Sequence, residues 1–292
     1  MSAPTTPPSS ATRRGRRGLL VGVVLAAVVI AGLLWWYLGR EAPEAVDTQA
    51  AIDAAASDEE AGSTDPEDGS DAEAANPGTE ADAADPAEED GADSEAADAD
   101  SGPDGSVPSE WRVVTDAVPY DLAAGTGTFV GFRIAEELTT VGATEAVGRT
   151  PAVEGTVTLD GTTLADASIV ADLTALTTDI RQRDGATQRA LNTTEQPTTE
   201  FSLTEPADLG ALPAVGEPIS VDVRGELTLN GVTQPVATTL EAVLLDGVAG
   251  LLVTGSFPLT LADHDLVAPS APVVVSVEDT ATVELQLYLD PA

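Results

Sequence analysis

Between Trp111 and Ala292 apolar and polar residues alternate with a period of two, the mark of strands that bury one face. Phe129–Ile134 puts Val130, Phe132 and Ile134 on one side. Val153–Leu159 ends at Asp160-Gly161, a hairpin turn signal. Ser168–Leu173 alternates through Ile169 and Ala171, and Glu200–Thr204 adds Phe201 and Leu203. Ile219–Leu229 carries Val221, Val223, Gly225 and Leu227 on one face and runs into Asn230-Gly231, the strongest short hairpin signal. Val236–Leu245, Leu251–Leu259 and Thr282–Leu289 complete eight predicted strands, most of them joined by tight turns. Sequential hairpins suit an up-and-down antiparallel sheet, closed as a barrel or split into a sandwich.

One segment departs from this period. Asp179-Ile-Arg-Gln182 resembles a capping box and predicts a short helix from about Ile180 to Leu191, with Pro197 preventing a long continuation. It is expected to lie across one end of the sheet.

The N-terminal third follows other rules. Leu19–Leu38 is an unbroken run of twenty apolar residues, long enough to span a bilayer as a helix. Arg13, Arg14, Arg16 and Arg17 precede it, which predicts a cytoplasmic N-terminus (1–18) and an extracytoplasmic C-terminal domain (111–292). A cleaved signal peptide is the rival reading, and Gly39-Arg40-Glu41 is a poor small-residue cleavage site for it. Between anchor (19–38) and domain lies an acidic linker (39–110). Residues 41–109 hold 23 Asp and Glu and no Lys, Arg or His. Such a composition predicts disorder, and a spacer of roughly 45 Å that holds the domain off the membrane.

Charge and composition narrow the chemistry. The net charge of −38 argues against nucleic acid and against docking by attraction to acidic headgroups. No cysteine is present, which excludes lipoprotein anchoring, disulfides and thiol catalysis. The single histidine, His264, has only Asp263 and Asp265 nearby and reads as part of a polar loop. Glu136, Glu137 and Glu154 read as solvated faces in a chain this rich in acids. No cofactor, metal or enzyme signature emerges.

Gly225-Glu-Leu-Thr-Leu-Asn-Gly-Val-Thr-Gln-Pro-Val236 closely resembles the G-x-L-T-x-x-G-V-T-x-P-V signature of the YceI-like family. Arg183-Asp184 with Pro197-Thr-Thr-Glu-Phe201 resembles its R-D…P-T-x-x-F segment. Phe132-Arg-Ile134 and Val277-Glu-Asp279 resemble its first strand and the approach to its last. The similarity spans about Val113 to Leu289. It implies an all-β, eight-stranded, lipocalin-like antiparallel barrel with a short helix, holding a long polyisoprenoid chain in an apolar lumen without catalysis. Two positions depart from the family. Glu136 stands where a histidine often follows the first strand, and Gln196 stands where an aromatic commonly precedes the proline. On this reading Phe132, Ile134, Val157, Ile169, Phe201, Leu203, Val221 and Val223 are candidates to line the lumen, and Leu176, Ile180 and Leu191 to close one end. Each of these also fits a plain core-packing role. The competing reading is a packed barrel that binds a protein or glycan of the cell envelope through its outer surface.

Overall fold

The computed structural model describes residues 42–62, 107, 109–246 and 250–292. The basic N-terminus, the apolar run Leu19–Leu38 and most of the acidic linker lie outside them. Among the described residues no helix is long and apolar enough to cross a membrane.

Thirteen strands form one antiparallel sheet. They are β1 (Glu110–Val114), β2 (Phe129–Leu138), β3 (Gly142–Thr150), β4 (Val153–Asp160), β5 (Thr163–Asp172), β6 (Thr177–Thr178), β7 (Thr198–Leu203), β8 (Ala207–Asp208), β9 (Ile219–Leu229), β10 (Val232–Leu244), β11 (Leu251–Thr260), β12 (Val274–Val277) and β13 (Thr280–Pro291). The path β1-β4-β5-β7-β9-β10-β11-β13 closes because β13 pairs back onto β1, with Leu289 opposite Val113. β2 takes the other half of the same edge of β13, with Val283 opposite Phe132. β1 and β2 thus share one strand position, as do β3 with β4 and β5 with β6. The result is a closed eight-position antiparallel barrel, which decides between the barrel and the sandwich that alternation and turns left open and agrees with what the family resemblance implies. Pairing β13 back onto β1 removes the two free edges that an open path would leave.

Local chemistry sets the reversals. Asn230 and Gly231 have φ of 53° and 74°, the conformation a two-residue hairpin needs to match strand twist. They let β10 start at Val232, four residues before the strand legible from alternation. β3 escapes the alternation argument altogether. Its Gly142-Ala-Thr-Glu-Ala-Val-Gly-Arg-Thr150 is built largely of small residues.

The first part of the expected disordered linker is ordered and packs on the barrel. Residues 42–47 run extended, and helix α1 (Thr48–Gly62) follows. Asp47 caps α1 by accepting from the Ala50 amide at 2.9 Å. Ala51 and Ala55 on one face of the helix are buried against Val118, Val243, Leu252 and Tyr288. The Tyr288 hydroxyl donates to the Ala51 carbonyl at 2.9 Å. Composition averaged over the tract hid this helix. Its alanines are good helix formers, and its inner face needs only small side chains to approach the sheet.

Beneath the extended stretch lies a buried ionic cluster on the barrel's outer face. Glu284, almost fully buried, takes Arg149 at 2.7 Å and Arg133 at 3.0 Å. Arg133 also pairs with Glu145. The remaining guanidinium donors turn to the chain above: Arg133 to the Pro43 carbonyl, and Arg149 to the Glu44 carbonyl at 2.8 Å. Arg149 also sits 4.3 Å over the Phe129 ring. The strap therefore completes the hydrogen bonding of charges that the interior leaves no water to solvate.

Helix α2 (Arg181–Ala190) lies where the sequence predicts a helix, but not by the predicted cap. Ile180 occupies the N-cap position, and its side chain makes no capping bond. Asp179 instead accepts from the Val147 amide and pairs with Arg183. Asp184 turns back to accept from both the amide and the hydroxyl of Thr178, at 2.9 and 2.7 Å. His264 is buried rather than set in an open polar loop. It ends a short 3-10 turn (Leu261–His264), with Nδ1 at 3.1 Å from the Val232 carbonyl. It secures the hairpin turn between β9 and β10.

Candidate functional site

The inward faces of the strands enclose two adjoining apolar chambers. One, of about 130 Å³, lies at the end where β1 enters and is walled by residues such as Val157, Leu164, Ile169, Ile219, Val221 and Leu240. The other, of about 430 Å³, lies at the end where α2 and the 265–273 segment cross the barrel. Val130, Thr199, Leu227 and Val283 wall both, so the two chambers meet in the middle of the barrel. β10 shows the consequence for a single strand. Its outward residues from Thr233 to Glu241 are exposed and Val243 is covered by α1, while inward Thr238, Leu240 and Ala242 are only half-buried because they face empty lumen.

All eleven sequence-predicted residues stand on these walls. Val157, Ile169, Phe201, Leu203, Val221 and Val223 line the smaller chamber. Phe132, Ile134, Leu176, Ile180 and Leu191 line the larger one, the last three from around α2. The two inward rings have a shared local device. A Cβ at Gly225 would fall 2.5 Å from the Phe201 ring, and one at Gly148 would fall 2.5 Å from the Phe132 ring. Each phenylalanine lies across a neighbouring glycine, which lowers the ring against the wall and keeps the lumen open.

The larger chamber carries a polar mouth that includes Glu136, which composition alone assigned to a solvated face. Glu136 follows Val130, Phe132 and Ile134 on the inward side of β2 and is buried at the chamber wall. It pairs with Arg183 on α2, which also holds Asp179 at 3.2 Å. Burial pushes the Glu136 carboxyl above its ordinary range, opposed by Arg183 and reinforced by Asp179. Burial raises Asp179 as well, again opposed by Arg183. The parity of Glu136 with Phe132 and Ile134 was the available sequence signal. Glu137, of opposite parity, is exposed. Among the described residues no group of three or more His, Asp or Glu is placed to hold a metal ion.

A family model described as YceI-like domain matches residues 120–289, more than half of the chain. The chain belongs to the YceI-like family. Solved structures similar to this family member include a polyisoprenoid binding domain from Saccharophagus degradans implicated in plant cell wall breakdown. It is 21% identical, with a TM-score of 0.48, covering 62% of this chain and 98% of that one. BcnA of Burkholderia cenocepacia is 16% identical, with a TM-score of 0.41, covering 55% and 94% respectively. The YceI protein of Campylobacter jejuni is 10% identical, with a TM-score of 0.41, covering 50% and 85%. A comparison with curated proteins finds no match. The YceI-like match begins at Tyr120, so the strap and α1 lie outside the family's shared domain.

Proposed function

We propose that this YceI-like protein is a membrane-anchored, extracytoplasmic and non-catalytic carrier of a long apolar chain of polyisoprenoid type. The observation that carries the reading is the pair of adjoining apolar chambers inside a closed barrel. A ligand tail gains about 0.8 kcal/mol for each methylene-sized unit moved from water into such walls. The narrow chamber suits the tail. The wider one, with Glu136 and Arg183 at its wall, suits the polar end. Leu19–Leu38 supplies the anchor, and the preceding arginines set its orientation. An unfilled interior favours this over an envelope interaction module, which would need only a packed barrel.

Native mass spectrometry of the full chain, released from membranes in mild detergent, tests the reading. The expected result is a bound lipid mass. Val223→Trp, which fills the narrow chamber, is expected to reduce it while the fold survives. A lipid-free wild type, or equal lipid in both folded proteins, would overturn the assignment.

A further inference from the structure

The strap runs along the barrel in a fixed direction. Pro43 lies over Arg133, Glu44 over Arg149, Val46 over Glu284, and Ala51 over Tyr288. Along β13 these contacts advance from the level of Thr282, the partner of Arg133, toward Tyr288. Followed backward, the chain heads for the end where β13 begins, which is the open end of the larger chamber. The apolar run ends at Leu38, only five residues before Pro43. Five residues reach at most about 18 Å when fully extended. On the anchor reading this short reach puts the membrane surface near the mouth, and in the sequence the long acidic tract follows α1 rather than preceding Pro43.

The rim of that mouth has a matching surface. Of the five large apolar side chains exposed among the described residues, four, Val141, Val267, Val273 and Val275, sit there, and Val267 is 80% exposed. The Thr139 amide donates to the Val273 carbonyl at 2.9 Å, which ties the β2–β3 turn to the 265–273 segment in one rim. Residues 266–277 contain no charge in a chain with 50 acidic residues. A water-facing loop has no need to lose every charge, whereas a loop entering lipid does.

We infer that the strap holds the barrel mouth-down on the bilayer, with the valine rim inserted at the headgroup level, so that an apolar chain passes between lumen and membrane without crossing water. The inference rests on the anchor and lumen reading above. The partner is the apolar layer of a bilayer, not its charge, because the barrel domain itself is strongly acidic.

The chain has no cysteine, so single cysteines report single sites. Full-length Val267→Cys and Val273→Cys, labelled with an environment-sensitive fluorophore, would be reconstituted into phosphatidylcholine vesicles carrying a lipid-borne quencher. Val215→Cys, exposed at the opposite end, is the control. The expected result is a blue shift and quenching at positions 267 and 273, unchanged by salt, with neither at 215. Insertion of a long Gly-Ser segment between Glu41 and Ala42 is expected to weaken the quenching. Water-like emission at 267 and 273 in vesicle-bound protein overturns the docking. Failure to float with vesicles overturns both docking and anchor. Lipid content of the same samples, measured separately, reports on the carrier reading alone.

Discussion

Gly225 shows how much a single missing side chain contributes here. An added Cβ would lie 2.5 Å from the Phe201 ring and 2.5 Å from the Ser202 carbonyl oxygen, and the backbone atom has nowhere to move. Gly225→Ala should cost about 1–3 kcal/mol, as overpacking does. A shift in the urea midpoint at unchanged slope measures it. Glu136 and Asp179 make a second residue-scale case. Both have folded-state pKa values raised by burial, so the folded chain binds their protons more tightly than the unfolded chain. Their contribution to stability is full below the ordinary values of 4.5 and 3.8 and is lost as pH rises through the raised values. Relative to Glu136→Gln/Asp179→Asn, the wild type should therefore gain stability as pH falls from neutral toward 4.5. A stability difference between the two that stays flat across that range would show that Arg183 cancels the burial of both acids.

At the scale of elements, strap and α1 change what the barrel requires. The outward residues Glu284, Gln286 and Tyr288 are buried on β13, opposite a lumen-facing set on the same strand. A strand hidden on both faces in an eight-position barrel needs a cover. Here the cover is 42–57 with the β1–β2 connection, where Gln286 donates to the Gly127 carbonyl at 2.9 Å. A chain starting near Ser109 uncovers Val243, Leu252 and Tyr288 and leaves two guanidinium groups short of acceptors. It should lose on the order of 2–5 kcal/mol relative to one starting near Ala42. Equal urea midpoints for the two chains would mean that the strap adds no stability. Inward parity alone made the lumen positions and Glu136 legible. The strap was not legible, because its hydrogen-bond partners lie 90 to 238 residues away along the chain.

For the whole molecule, the proposed N-terminal anchor and the strap together would hold the barrel near the membrane. Protease added to intact cells should cut the acidic tract after α1, where nothing but Ala, Gly, Ser, Pro and acidic residues dominates the sequence. The strap and α1 should stay with the anchor, and noncovalent contacts should retain some of the released barrel at the membrane. Immunoblots from both ends would show this. A barrel untouched until lysis would reverse the topology.

Period-two alternation and turn chemistry determined eight of the strands, though not β1 or β3, with their inward faces and several of their reversals, because each depends on residues close in sequence. Alternation also reached the lumen walls, since the residues that face inward on a strand share its parity. Closure came from β13 meeting β1, and the meeting of the two chambers, the Glu136–Arg183 pair and the strap's grip on Arg133 and Arg149 came with it. These rest on contacts between distant segments, whose energies no local window contains. The acidic composition that hides α1 in the sequence is an average over a tract. Among the described residues the tertiary structure uses its first few turns, where small alanines let a helix approach the sheet.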